Sequence, residues 1–513
     1  MSLHQSPSET RSASPDLSSF WGSLLALIAG AVYPLAFAPL NWWPIAPLAV
    51  AAFYLCMQHS QTARQAMWRG WLFGFGLFGV GTSWVWISMH RYGDTSVALA
   101  TLLTALFCAA LALFFVIQAA LHHRIARNPL WAYLGFPAVW VVGELIRTYL
   151  LTGFPWLLLG YSGLDTLWQG WSPVLGVYGI SALFALAGVG LAKLIQPEDS
   201  DRRLPAILVI VIPALLGLLL FTLQWTQPTT QAPLKVMLVQ GNIEQNAKWH
   251  PDSAMPTIER YETMTQKAWS GPALVVWPET AIPALLNDAY SVMTPFADDL
   301  YQRQSALISG VMTRVEKEGT RSYHNSLVVL GDGLGLYHKR HLVPFGEYVP
   351  LESVLRGLIA FFDLPMSQFS KGDLNQPELT AMGHKISASI CYEVAYPDLM
   401  RRSVGDADML LTVSNDTWFG GSFARYQHLQ MVQMRALEVG RPMVRATNDG
   451  MTAVIDHQGR ITQQLEPFRA GVLTEEVQGY EGQTPYMRWG DWPLIILSVL
   501  LTLAGMLVRR RQA

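Results

Sequence analysis

Apolar residues run along this chain in eight blocks of helix-forming length, and between the seventh and eighth the pattern gives way to short strands and amphipathic helices. The blocks are 20–39, 42–57, 70–89, 96–121, 129–146, 168–195, 204–223 and 492–508. A helix needs about 20 apolar residues to cross the hydrocarbon core of a bilayer, so these are predicted membrane spans. The first two blocks are the weakest. The second is short, and Pro34, Pro39, Pro44 and Pro47 interrupt the pair, which allows a tight helical hairpin in place of two clean crossings. After a linker at 224–233, β-branched runs recur at 234–239, 273–277, 306–310, 326–330, 386–391, 409–413, 443–446, 452–455 and 472–476. Helix-like stretches, such as 255–269 and 423–439, lie between several of them. Strands alternating with helices predict a layered α/β domain, and their near-continuous apolar character predicts sheets covered on both faces.

Charge sharpens this division. Residues 19–225 hold 15 charged side chains and residues 226–491 hold 51, so the first stretch reads as membrane and the second as a folded aqueous domain. A net charge of −2 excludes a polybasic nucleic-acid binder. Three cysteines in 513 residues cannot make a disulfide framework, and Cys56 and Cys108 lie in apolar runs, which leaves Cys391 alone in a polar setting. No cysteine pair indicates structural zinc. With a cytoplasmic N-terminus, the cytoplasmic segments carry eleven Lys and Arg and the opposite short loops carry only Arg91 and Arg147. The expected plan is a disordered cytoplasmic tail at 1–19, seven spans within 20–223, an extracytoplasmic domain at 224–491, and a last span with a basic tail at 492–513. The tail lacks the basic region and cleavage site of a signal peptide.

Three groups with chemical potential sit at predicted strand ends. Glu279 follows a buried strand and a proline, in Val-Val-Trp-Pro-Glu-Thr. A half-buried carboxylate there suits a general base, although a helix-entry Glu has the same sequence. Lys339 lies in Tyr-His-Lys-Arg-His-Leu-Val-Pro-Phe-Gly-Glu. Its fixed charge suits an oxyanion, or equally a solvated basic patch. Cys391 ends the strand in Ala-Ser-Ile-Cys-Tyr-Glu. A helix N-terminus behind it would lower its pKa; the plainer reading is a small buried hydrophobe.

The order and local contexts of Glu279, Lys339 and Cys391 resemble the nitrilase superfamily, whose Glu–Lys–Cys triad occupies three strand ends of an αββα sandwich. Wrapped in about eight spans, the chain resembles over essentially its whole length the apolipoprotein N-acyltransferases of Gram-negative inner membranes. Val-Gln-Gly-Asn at 239–242, Ser-Asn-Asp-Thr-Trp-Phe-Gly at 414–420 and Arg-Ala-Thr-Asn-Asp-Gly at 445–450 support this. The resemblance implies a multi-span helical domain plus a periplasmic nitrilase-like domain. It implies an enzyme that moves the sn-1 acyl chain of a phospholipid to the N-terminal amine of diacylglyceryl-cysteine apolipoproteins, through a thioester on Cys391. No cofactor or metal is implied. Glu279 would be the general base and acid, and Lys339, with the Tyr392 backbone N–H, would stabilise the oxyanion. Glu347 and Glu393 would hold Lys339 and position the incoming amine. Trp249, Trp418, Phe419, Phe154 and Trp156 would line the lipid entrance or form a lid; an interfacial aromatic belt is the plainer reading of some of them. Glu144 and Arg147 read most simply as an i,i+3 pair. The rival reading is a membrane-tethered nitrilase-type hydrolase that passes the acyl group to water.

Overall fold

Each predicted block is helical in the computed structural model, which describes residues 20–125, 128–196, 203–317, 319–349 and 368–512. The tail expected at 1–19 lies outside the described residues. Val97–His123, Leu130–Thr152, Gln169–Ile195, Arg203–Phe221 and Trp492–Arg511 are each long and apolar enough to cross a membrane, which makes this a multi-pass membrane protein. The third block is a helix pair, Ala63–Gly81 and Val85–Tyr92, bent by 58° in the manner of a broken span or a re-entrant loop. The first two are the short helices Phe20–Ala36 and Ile45–Gln58. The second has 14 residues and so reaches only about 21 Å, less than the hydrocarbon thickness. These two pack on their neighbours through small residues. A Cβ on Gly30 would lie 2.0 Å from the Phe73 carbonyl oxygen, and one on Gly76 would lie 2.4 Å from that of Leu27. Close backbone approach of this kind is how helices associate where burial alone drives nothing.

The aqueous domain holds two sheets, face to face. In spatial order the first runs Gly471–Val477, Leu234–Gln240, Leu274–Val276, Ala306–Lys317, Thr320–Gly331 and Leu336–His338. The second runs Ile461–Gln464, Ala453–Ile455, Met443–Thr447, Met409–Ser414, His384–Ile390, Leu379–Ala381 and Gly333–Leu334. The centre of each is parallel. Side chains alternate between faces along a strand. Val236 and Leu238 therefore meet Ile386, Ile390, Leu411 and Val413 between the sheets. Met237 and Val239 face the helices Ala254–Ala268 and Leu286–Gln302 instead, with Ile258, Met293 and Phe296. On the other side the helix Ala424–Val439 covers the second sheet and is itself covered by the membrane helices. Met431, Val432, Met434 and Met443 share one apolar cluster with Trp156, Tyr161, Val177 and Phe184.

Two features tie the two parts together. Thr226–Pro228 pairs antiparallel with Tyr480–Gly482, so the chain leaving the seventh block and the chain approaching the eighth are clamped side by side. Glu438 Oε1 accepts from the Val177 N–H at 2.8 Å, where Gly176 with φ +65° breaks the Ser172–Ile195 helix. The basic ends of the spans meet each other at the opposite end, where Arg509 donates to the carbonyls of His123 and Ile125.

Candidate active site

Glu279, Lys339 and Cys391 come from three strand ends; Lys339 pairs with Glu279, and the Cys391 thiol lies within electrostatic range of both. Glu279 lies in the turn after Leu274–Val276. That turn rests directly on Gly310, where a Cβ would stand 2.3 Å from the Thr280 nitrogen and 2.7 Å from the Glu279 Cα, so only glycine fits. Lys339 follows Leu336–His338, held by its N–H on the Asn325 carbonyl at 2.8 Å. Cys391 follows His384–Ile390 with φ +53°, a left-handed conformation that a side chain disfavours by about 1–2 kcal/mol, and opens the 3-10 turn Cys391–Ala395.

Lys339 is the hub, with 1% of its surface exposed. Its Nζ lies 3.3 Å from Glu279 Oε1 and 2.9 Å from Glu347 Oε1. Asn325 Nδ2 donates to the same two oxygens at 2.7 and 2.9 Å. The backbone N–H of Asn415 donates to Glu279 Oε2 at 2.9 Å. Burial opposes the charge on Lys339, but the carboxylates of Glu279 and Glu347 outweigh it and hold the ammonium well above its ordinary pKa. Cys391 behaves differently from the sequence-based expectation. Burial raises its pKa, the Glu279 charge raises it further, and Lys339 only partly offsets this. A five-residue 3-10 turn has too few aligned peptides to act as the expected helix N-terminus. The resting group is a thiol that needs a base.

Glu393, expected to help hold Lys339 or position an amine, has both carboxylate oxygens occupied. It is fully buried, and four donors fill its two oxygens. They are the N–H groups of Arg340 (2.6 Å), His341 (3.1 Å) and Ile390 (2.6 Å) and the Tyr337 hydroxyl (2.8 Å). It staples the Lys339 turn to the Cys391 turn. Glu347 grips Lys339 with Oε1 and the Val343 N–H with Oε2 at 2.9 Å. Three groups carried no signal in the sequence. Asn325, in the middle of Thr320–Gly331, and Asn415, just past Met409–Ser414, are ordinary amides until the fold brings them to Glu279. Lys248 Nζ donates to the Glu279 carbonyl at 3.1 Å and to Thr280 Oγ1 at 2.7 Å, and burial lowers its pKa to about 8 against the pull of Glu279 and Asp449.

Four of the five aromatic candidates gather on the membrane side. Trp156 stacks with Phe154 and meets Phe419 at 5.7 Å, and Trp84 from the bend of the third block meets both Trp156 (5.2 Å) and Phe419 (4.8 Å). Trp418 meets Tyr92, and its carbonyl accepts from Ser88. Trp249 stands apart, its ring 5.8 Å from the Lys248 ammonium on the Glu279 side. The 152–159 loop is bound at both ends. The Tyr392 and Tyr396 hydroxyls donate to the Gly153 carbonyl at 3.2 Å, and Trp156 Nε1 donates to Gln427 at 2.7 Å. Glu144 and Arg147 serve this loop more than each other: 4.0 Å separates them, whereas Arg147 donates to the Trp156 carbonyl at 2.6 Å and Glu144 accepts from the Leu159 N–H at 2.7 Å.

Comparison with known proteins covers both parts. Residues 29–190 match the apolipoprotein N-acyltransferase N-terminal domain, and residues 235–486 match the carbon–nitrogen hydrolase domain. The apolipoprotein N-acyltransferase of Azotobacter vinelandii is 48% identical over 498 residues, covering 96% of this chain and 95% of that one. That of Pseudomonas syringae pv. tomato is 48% identical over 94% of this chain and 95% of its own. That of Coxiella burnetii is 40% identical over 94% and 99%. Likeness on this scale, over nearly the full length of each chain, means that the chain belongs to the apolipoprotein N-acyltransferase family.

Proposed function

We propose that this protein transfers the sn-1 acyl chain of a phospholipid to the N-terminal amine of the diacylglyceryl-cysteine of apolipoproteins, through a thioester on Cys391. The observation that carries this reading is that Lys339 pairs with Glu279 while Tyr392, the residue next to Cys391, is bonded to the membrane loop at 152–159. Glu279 takes the proton of the Cys391 thiol as sulfur attacks the ester carbonyl. Lys339 and the Tyr392 N–H receive the developing oxyanion, a service worth about 10²–10³ in rate per donor. Glu279 returns its proton to the departing lysophospholipid. In the second half the apolipoprotein amine attacks the thioester carbonyl, the C–S bond breaks as the amide forms, and Glu279 takes the amine proton and passes it to the departing Cys391 sulfur, which regenerates the thiol.

Both substrates carry acyl chains whose exposure costs about 0.8 kcal/mol per CH₂, which favours a site that opens sideways into the bilayer. Trp84, Phe154, Trp156 and Phe419 offer that opening an apolar wall. The Lys/Arg asymmetry, with Arg509, Arg510 and Arg511 at the end of the last span, supports a cytoplasmic placement for that end and a periplasmic one for the catalytic domain in a bacterial inner membrane. The test is intact mass of the purified protein after incubation with phospholipid. The expected result is one acyl mass on the peptide containing Cys391, discharged by a diacylglyceryl-cysteine peptide. Steady release of free fatty acid with no adduct would mark the tethered hydrolase instead.

A further inference from the structure

Beside the Cys391 backbone lies a second buried ionic cluster with no part in the chemistry above. Arg445 Nη2 donates to Asp416 Oδ2 at 2.7 Å and reaches His428 Nδ1 at 3.1 Å. Ser414 Oγ donates to Asp416 Oδ1 at 2.6 Å. His428 Nε2 lies 3.1 Å from the Cys391 carbonyl. All four side chains are essentially inaccessible to solvent.

The partners fix the proton on His428 Nε2. A carbonyl oxygen only accepts, so Nε2 donates to it. Nδ1 lies 3.1 Å from Arg445 Nη2 and 3.2 Å from Asp416 Oδ1. Burial and the Arg445 charge hold the imidazole below its usual pKa, against the pull of Asp416. Burial works against the charge on Asp416, but Arg445 and His428 outweigh it. The ion pair thus aims the ring at one backbone atom.

That atom matters for a geometric reason. The Cys391 carbonyl and the Tyr392 N–H belong to one planar trans peptide and point in opposite directions. Whatever fixes the carbonyl also aims the N–H. We propose that Asp416, Arg445 and His428 form a positioning cluster for the nucleophile, in which His428 holds the Cys391–Tyr392 peptide so that the Tyr392 N–H faces the oxyanion. The role rests on Cys391 being the nucleophile. It also accounts for the left-handed Cys391, whose strain the surroundings must hold in place. The outer face of the ring packs on Trp156 at 5.9 Å and on Phe419 at 5.7 Å, so the cluster joins the apolar wall to the peptide beside the thiol.

The experiment uses the full-length protein in detergent, with a phospholipid donor and a diacylglyceryl-cysteine peptide. His428→Phe keeps a planar ring and loses the donor; His428→Gln returns an N–H at about the same reach. His428→Phe should lower turnover about a hundredfold, the scale of a misplaced catalytic group, while KM for the phospholipid stays within about twofold. His428→Gln should recover at least tenfold of that loss. Turnover of His428→Phe within about threefold of the parent would overturn the role, as would equal turnover of the two variants. Should His428→Phe not fold, His428→Gln is compared with the shorter His428→Asn, and equal turnover of that pair overturns it likewise. A parent protein that never gains acyl mass on Cys391 overturns both this role and the proposed function. A parent that loads Cys391 normally beside indifferent variants overturns the positioning role alone.

Discussion

Replacing Lys339 by Met removes the ammonium and keeps the length of the stem, which isolates the charge. The parent places Glu279 Oε1 and Glu347 Oε1 around one ammonium at 3.3 and 2.9 Å, and both oxygens also take an N–H from Asn325. Two oxygens that share one donor stand about 4–5 Å apart, and at an effective dielectric of about 20 two unit charges at that distance repel by about 3 kcal/mol. Lys339→Met should therefore lose about 3 kcal/mol of stability from this repulsion. It should also lose about 10²–10³ in the rate of thioester formation, because the oxyanion loses its cation. The two effects separate in a double-mutant cycle. Glu347→Gln alone should destabilise, since Lys339 then keeps one carboxylate instead of two. In the Lys339→Met background the same change should stabilise, by about 2 kcal/mol, because it removes one of two like charges. Stability is read by denaturant titration in detergent and acylation by mass. Additive effects of the two substitutions, within about 0.5 kcal/mol, would refute the electrostatic reasoning. Recovery of acylation in the double variant would refute the assignment of Lys339 to the oxyanion.

Gly310→Ala should cost about 1–3 kcal/mol and most of the acylation rate, because the new methyl would meet backbone atoms of Pro278, Glu279 and Thr280 that have nowhere to move; a variant as active as the parent would show that the turn is free to shift. Trp156→Phe should lose about 1–2 kcal/mol by leaving Gln427 unpaired, whereas Trp156→Ala should lose about 3–5 kcal/mol and raise KM for phospholipid; thermal melts and initial rates test both. Lys248 has a folded pKa of about 8, below that of an unfolded lysine, so between about pH 8 and 10 the unfolded chain binds more protons. Stability should rise with pH through that window in the parent and rise less in Lys248→Met, as followed by melting temperature.

Much of the molecule follows from local pattern. Apolar blocks of about 20 residues cannot remain in water, so the spans were legible from composition, and the shortness of Ile45–Gln58 was visible in its length. The nine predicted strands all appear because both faces of each sheet are covered, which imposes an apolar run on the sequence. The 12-residue length of Ala306–Lys317 and Thr320–Gly331 escaped that reading, because their polar ends, such as Arg314 and Arg321, pair only with each other beyond the core. The 58° break in the third block escaped it too, since Thr82 and Ser83 mark it only weakly.

The same division runs through the site. Glu279, Lys339 and Cys391 could be picked out one by one because each chemical group sits at the end of its own strand, a one-dimensional property. The roles of Asn325, Asn415, Lys248 and His428 depend on which strands lie side by side, and residues 22 to 136 positions apart meet there. The thiol's raised pKa reverses the sequence-based expectation for the same reason. Amino-acid order set which groups were available and where membrane gives way to water; burial, and the charges that only folding assembles, decided their protonation and what each one touches.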